Sequence, residues 1–311
     1  MSEHRFEGRV AVITGAGRGL GRAYAHLLAS KGAKVIVNDL GSDLQSEGVD
    51  IGPAHTVVDE IIALGGEAVA CTSSVATPEG GKAIIDMAIT HYGRLDILIH
   101  NAGNVRYGSL EELSQKDFEA VLDVHLKGAF HVVRPAFPVM SEAGYGRIVL
   151  TSSISGLYGL ATAVNYGMSK AGVIGLNNVI ALEGAEKNIR SNIILPGAVT
   201  RMADGLDISQ YPPMEPELVA PVVGWLAHES CSISGEMLIS IAGRVAKALV
   251  VETEGVFRSD WTIDRVAEEM DAIRDAGNLW KLPVLPSGFS EHMQRSFMMA
   301  AAGVDSVNPT K

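Results

Sequence analysis

Two residues in the segment "NYGMSKAGV" invite a chemical reading. Tyr166 and Lys170 stand four positions apart, so on a helix they share one face and present a phenol and an ammonium to the same cleft. Such a pair suits proton transfer: a free phenol has a pKa of ~10, and a neighbouring ammonium favours its phenolate. The spacing alone is equally that of two ordinary residues on a helix surface, and it needs support from elsewhere in the chain. A second candidate is "TGAGRGLG" (14–21), placed between an apolar run and a helical pattern. Glycines at a helix start let backbone N–H groups approach a pyrophosphate. The strict G-x-G-x-x-G pattern fails, because Leu20 occupies its last position; Gly15, Gly19 and Gly21 fit T-G-x-x-x-G-x-G instead. Asp39 ends the next apolar run, "KVIVND", where a carboxylate binds the adenosine ribose hydroxyls of NAD and repels a 2′-phosphate. Arg18 argues the other way, as a partner for such a phosphate, and Asp39 is the weightier of the two. An Asp that merely caps a turn is the plain alternative.

These residues need a scaffold, and the rest of the chain supplies one. Short apolar runs at 9–15, 33–39, 67–73, 95–103, 146–152, 190–197 and 236–243 alternate with helical patterns such as "GLGRAYAHLLASKG". The runs are continuous rather than alternating, as parallel strands covered on both faces are. The expectation is an α/β, Rossmann-type, doubly wound sheet of seven parallel strands, with ligands at the strands' carboxyl ends. Of the 311 residues 47% are hydrophobic, only 5% aromatic, and 34 are Gly, a composition that suits aliphatic strands and tight turns. Residues 1–250 are expected to form this domain and 251–311 a C-terminal helical extension, in which "TIDRVAEEMDAIRDAG" reads as one helix starting near Thr262 or Asp264 and stopping at Gly277. The long Pro- and Gly-marked connection 197–216 has the length of a lid, with Met202, Leu206, Ile208 and Tyr211 as candidate lining.

Several function classes find no support. The net charge is −11 without a basic run, which argues against nucleic acid. No stretch approaches the ~20 apolar residues of a spanning helix, and the N-terminus has no apolar signal core, so a cytoplasmic protein is expected. Cys71 and Cys231 match no metal-site spacing and read as reduced core thiols; no metal is expected. His91, His100, His131 and His228 read as core or surface residues rather than ligands.

Taken together, "TGAGRGLG", "NAG" (101–103), "TSSISG" (151–156), "YGMSK" and "LPGAVT" (195–200) occur in the order typical of the short-chain dehydrogenase/reductase family, which the chain resembles over about residues 6–245. The resemblance implies that Ser153, Tyr166 and Lys170 are catalytic, with Ser153 holding the substrate oxygen, Tyr166 exchanging the proton, and Lys170 also binding the nicotinamide ribose. It implies a cofactor site of Gly15, Arg18, Gly19, Leu20, Gly21, Asp39, Ser74, Val75, Asn101, Ala102, Gly103, Tyr166, Lys170, Pro196, Gly197, Val199 and Thr200. Two positions depart from the usual pattern: His125, in "DVHLKG", stands where an Asn supports a proton-relay water, and Ser74 stands where an acid holds the adenine. "VNDLG", "VHLKGAF" and "HESCS" are similar to one branch, the dehydrogenase units of peroxisomal multifunctional enzymes, which oxidise 3-hydroxyacyl-CoA with NAD and are also called 17β-hydroxysteroid dehydrogenases; there His125 belongs to the pattern.

The resemblance therefore implies an NAD-dependent oxidation of a secondary alcohol, foremost 3-hydroxyacyl-CoA in fatty-acyl or steroid side-chain β-oxidation. Free hydroxysteroids or other secondary alcohols form one alternative, and NADPH-dependent reduction of a 3-ketoacyl carrier another, which Asp39 disfavours. A non-catalytic NAD-binding regulator is disfavoured by the intact Ser153, Tyr166 and Lys170. The family's packing implies a homodimer or homotetramer through the helices of "FEAVLDVHLKGAFHVV" and "AVNYGMSKAGVIGLNNVIAL". For a CoA phosphate, Lys247 and Arg258 are candidates by charge and position only.

Overall fold

The structure, a computed structural model, describes residues 4–41, 52–199 and 212–307. The chain divides into two compact units, Met1–Lys247 and Ala248–Lys311. In the first, the seven expected apolar runs all become strands: β1 Val10–Thr14, β2 Lys34–Asn38, β3 Glu67–Cys71, β4 Ile97–His100, β5 Gly146–Thr151, β6 Ile189–Gly197 and β7 Met237–Ile241. They lie parallel in the order β3-β2-β1-β4-β5-β6-β7. In β1 every residue is buried, because helices cover both faces. Helices α1 (Gly19–Ser30), α2 (Gly52–Ala63) and α8 (Ala220–Ala227) pack together on one side; α3 (Pro78–Tyr92), α5 (Gly128–Ala143) and α7 (Val164–Gly184) pack on the other.

The sheet has eight strands rather than seven. Strand β8, Arg244–Ala248, follows β7 through Ala242 and Gly243, both left-handed at φ 49° and 78°. A two-residue link of that kind closes a hairpin, so β8 runs antiparallel on the edge. Its sequence, "RVAKA", is exposed at Arg244, Val245 and Lys247 and has no continuous apolar run, which is why the run pattern missed it. A charged, short edge strand also discourages pairing with other chains.

Topology places the site. The chain moves from β1 outward to β2 and β3, then returns to β4 on the opposite side of β1. At this reversal the connections leave β1 and β4 in opposite directions and open a crevice at the strands' carboxyl ends. Registers such as Thr14↔His100 and Thr14↔Asn38 bring three strand ends level there. One expected helix is interrupted: between α4 (Gln115–Leu122) and α5 lies a π-helical turn, Asp123–Lys127, that carries His125. Such turns mark functional positions more often than ordinary helix does.

In the second unit, β9 (Glu252–Thr253) pairs antiparallel with β10 (Leu279–Trp280). The helix expected from about 262 to 277 is two, α9 (Ile263–Glu268) and α10 (Met270–Ile273). Thr262 does cap the first, accepting from Arg265 N at 3.2 Å. The break falls at Glu269, which leaves helical geometry at φ −90°, ψ 2° and whose carboxylate binds Arg258. The end of the chain, left open by the sequence pattern, forms α11, Gly288–Val307. Among the described residues no helix is long and apolar enough to cross a membrane, and no group of three or more His, Cys, Asp or Glu is placed to hold a metal ion.

Candidate active site

The glycine turn works by omission of side chains. A Cβ on Gly15, which sits at φ 64°, would lie 2.7 Å from Ala102 Cα, and one on Gly21 would lie 2.2 Å from the Gly15 carbonyl oxygen. The β1–α1 turn can therefore fold tightly against the loop after β4, and the first N–H groups of α1 open toward the crevice. Gly17, which the motif reading left out, is as constrained: its Cβ would lie 2.8 Å from Asp39 Oδ2. Its N–H donates to that oxygen at 2.9 Å, and Gly41 N–H donates to Asp39 Oδ1 at 2.8 Å. Asp39 is thus aimed from both sides, with acceptor capacity left on each oxygen for a ligand's hydroxyls.

Neighbouring loops are tied to the same frame. Asn38 Nδ2 donates to the carbonyls of Cys71 and Ser73 at 3.0 and 2.9 Å, which positions Ser74 and Val75. Ser74 Oγ accepts from Ala76 N–H at 3.2 Å, so here it shapes its own loop. Asn101 Nδ2 donates to the carbonyls of Thr14 and Gly15 at 3.3 and 3.1 Å. Gly103 lies under His125, whose Cε1 would be 2.5 Å from any Cβ there.

Helix α7 brings up the proposed chemistry. Its start is anchored by the buried Asn165, whose Nδ2 donates to the carbonyls of Arg106 and Asp117 at 3.2 and 3.1 Å while its Oδ1 accepts from Tyr166 N–H at 2.8 Å. Sequence reading missed Asn165; the signal available was an amide on a buried helix face. One residue on, the Tyr166 hydroxyl comes up beside the Ser153 side chain. Ser153 Oγ also accepts from Ser155 N–H at 3.1 Å. One turn further, the Lys170 ammonium lies 5.5 Å from the centre of the Tyr166 ring and donates to the Thr151 carbonyl at 2.6 Å. Ser152 Oγ donates to the Lys170 carbonyl at 2.7 Å, locking α7 to the end of β5.

The electrostatics correct one expectation. Burial raises the Tyr166 phenol above its ordinary value, opposed by the neighbouring Ser153 hydroxyl, so the phenol of the chain itself is not lowered. Burial also brings Lys170 down to about 7, leaving its charge only partly present at neutral pH. His125 is buried, and burial with the nearby Lys170 keeps it neutral. Its Nε2 lies 3.0 Å from Asn104 N and 2.8 Å from Asn104 O, and its ring meets that of Tyr166 edge-on at 5.2 Å.

A cleft of about 530 Å³ runs past these groups. Gly15, Arg18, Gly19, Leu20, Asp39, Ser74, Val75, Asn101, Ala102, Gly103, His125, Tyr166, Lys170, Pro196 and Gly197 all line it. Gly21, Ser153 and Val199 are not part of its lining; Val199 N–H donates to the Met214 carbonyl at 2.7 Å. Thr200, Met202, Leu206, Ile208 and Tyr211 lie outside the described residues. The side-chain-free cradle, the aimed carboxylate and the buried lysine fit a nicotinamide dinucleotide.

The chain is similar to known proteins. A family model described as short chain dehydrogenase matches residues 9–207. Peroxisomal multifunctional enzyme type 2 of Drosophila melanogaster is 49% identical over 253 residues, which are 81% of this chain and 42% of that protein. The solved full-length structure of that enzyme has a TM-score of 0.78 at 38% identity, covering 94% of this chain and 49% of that one. A Mycobacterium tuberculosis protein described as a short-chain type dehydrogenase/reductase is 42% identical over 269 residues, 86% of this chain and 94% of its own length. A 7α-hydroxysteroid dehydrogenase solved with NADH and 7-oxo glycochenodeoxycholic acid has a TM-score of 0.70 at 30% identity, covering 77% of this chain and 95% of that one. The chain thus spans less than half of the multifunctional enzyme and nearly all of the mycobacterial protein. The fold, the cleft and these matches make the chain a member of the short-chain dehydrogenase family, oxidoreductases that bind NAD(P).

Proposed function

We propose that the chain oxidises the secondary alcohol of a 3-hydroxyacyl-CoA with NAD. The observation that carries the reading is Tyr166: its hydroxyl lies beside Ser153, with Lys170 one turn away, in the wall of a cleft that begins at Asp39. Bound NAD supplies the acceptor for the hydride that leaves the carbinol carbon. The chain's own residues do the rest. Ser153 holds the substrate oxygen, and Tyr166 takes the hydroxyl proton as the carbonyl forms. Lys170, on the Thr151 carbonyl, binds the nicotinamide ribose and regains its charge when a partner oxygen offsets its burial. His125, neutral and edge-on to Tyr166, takes the relay position beside the phenol. Acid–base assistance of this kind is worth ~10²–10⁴ in rate.

Preference for NAD rests on Asp39, whose carboxylate is fixed by Gly17 and Gly41 and would repel a 2′-phosphate. The acyl-CoA assignment rests on resemblance to the multifunctional branch and on the 49% identity to its Drosophila member. Lys247 and Arg258 are engaged with Glu236 and Glu269 and are not offered as a CoA phosphate site. A free hydroxysteroid is the second reading, supported by the fold match to the 7α-hydroxysteroid dehydrogenase. Residues 1–250 are proposed as the catalytic domain and 251–311 as an extension. A homodimer or homotetramer is proposed through exposed apolar groups on α5 and α7, Phe130, Met168, Val179 and Leu182.

Three outcomes follow. Tyr166→Phe lowers kcat for alcohol oxidation by ~10²–10⁴ while NAD affinity stays within about threefold of wild type. Because burial keeps the phenol protonated near neutrality, wild-type oxidation rises toward alkaline pH, and the variant loses that limb; steady-state rates across pH with NAD titration by fluorescence check both. Wild type prefers NAD to NADP, and Asp39→Ala narrows the ratio of kcat/KM by ~10-fold or more, as loss of a like-charge clash and of ribose hydrogen bonds requires. A wild-type preference for NADP contradicts this assignment of Asp39. Finally, kcat/KM for a 3-hydroxyacyl-CoA exceeds that for a free hydroxysteroid of similar bulk, since a remote CoA handle adds binding energy that orients the hydroxyl. Equal or reversed efficiencies favour the free-alcohol reading.

A further inference from the structure

His100 ends β4 and is 1% exposed, yet it lies outside the cleft wall and takes no part in the chemistry above. Its protonation pattern can be deduced. Thr14 Oγ1 accepts two backbone N–H groups, from Asn101 and Ala102, each at 3.1 Å. A hydroxyl has one proton and two acceptor sites, so with both sites taken its proton points elsewhere. The remaining neighbour is His100 Nδ1, at 3.0 Å. Nδ1 is therefore the acceptor, and the ring proton sits on Nε2.

That Nε2–H is directed into the protein. Nε2 is fully buried and makes no hydrogen bond of ordinary geometry. The backbone carbonyls of Val124 and His125 lie against the ring. Both belong to the π-helical turn Asp123–Lys127, where the regular i→i−4 ladder is interrupted. A buried N–H donor without a partner is costly, and an N–H directed at those carbonyls, each able to accept a second bond, reduces that cost. The same turn carries His125, whose ring is clamped by Asn104 on one side, meets Tyr166 on another, and tolerates only a glycine at 103.

We propose that His100 is a positioning residue: held as its Nε2–H tautomer by Thr14, it pins the π-helical turn and so sets the place of His125 against Tyr166. The inference rests on the reading of Tyr166 as the proton carrier. It links the glycine turn, through one hydroxyl and one imidazole, to the residue beside the phenol. Burial and Lys170 bring His100 down to about 3, so it holds one neutral form throughout the working range and acts as a strut rather than a shuttle.

Two arms test it on the full chain. In the first, long-range ¹H–¹⁵N correlation spectra of histidine-labelled wild type read the tautomer directly, without turnover. The expected result is protonated Nε2, unprotonated Nδ1, and no titration of His100 between pH 5 and 8. A protonated Nδ1, or titration in that range, overturns the proposal. In the second, two substitutions separate the ring's ends. His100→Gln can place an amide N–H near the Nε2 position; His100→Asn reaches only the Thr14 side. With NAD and the best substrate of a 3-hydroxyacyl-CoA and hydroxysteroid panel, His100→Asn should lose ~10–100-fold in kcat, as a displacement of about 1 Å does, while His100→Gln stays within about fivefold. NAD affinity should stay within about threefold in both. Equal kcat in the two variants, or a fall in NAD affinity matching the fall in kcat, assigns His100 to sheet packing alone and overturns the proposal. Turnover retained in Tyr166→Phe sinks the catalytic reading instead, and the spectra still decide the tautomer of His100.

Discussion

The site depends on one hydroxyl. Thr14 Oγ1 takes the N–H groups of Asn101 and Ala102 and faces His100 Nδ1, so the ends of β1 and β4 are joined at a single atom. Valine has nearly the same shape but would leave two backbone donors short of a partner, at ~1–3 kcal/mol each if they stay buried. Around this junction, the missing side chains of Gly15 and Gly21 let the two loops touch. Asn101 then returns two hydrogen bonds to the glycine turn. These bonds tie together the two loops that border the crevice between β1 and β4.

The far end of the cleft is built on a different compromise. Lys170, His125 and His100 are all buried, and each resists carrying charge. A single buried ammonium is tolerated because it donates to the Thr151 carbonyl and because the two imidazoles beside it remain neutral. Tyr166 feels the same low dielectric and holds its proton more tightly than a free phenol. Before a ligand adds any charge of its own, the site is thus set toward neutral forms. The proposed reaction gains from that setting: charge that develops at Tyr166 or Lys170 interacts more strongly there than in water. The cost is stability, as is common where a site must bury ionisable groups.

Much of this was legible in the sequence, for identifiable reasons. Continuous aliphatic runs between helical patterns are a strong signal, and all seven became strands. That the glycine turn, Asp39 and the Tyr166–Lys170 pair share one cleft was legible because their motifs occur together, in one order, among the strands that the apolar runs mark. Strand β8 was not, since an exposed edge strand with Arg244 and Lys247 has no apolar run to see. Gly17 and Asn165 were missed because their roles are set by what approaches them, Asp39 in one case and two loop carbonyls in the other. The upward shift of the Tyr166 phenol was hidden for a related reason: sequence spacing reveals that a lysine is near, but not how deeply the phenol itself is buried. The break at Glu269, whose carboxylate pairs with Arg258, likewise leaves no mark on the periodicity.

The central claim is that one cleft orders a dinucleotide from Asp39 to Lys170 and presents its reactive end to Tyr166. A crystal structure of the chain with NAD tests this most directly. The account predicts the adenosine ribose hydroxyls on Asp39, the pyrophosphate over the Gly15–Gly19 turn, the nicotinamide ribose on Lys170, and the nicotinamide ring facing the Tyr166 hydroxyl. A dinucleotide bound in the opposite sense, or one whose ring lies away from Tyr166 and Ser153, would contradict it.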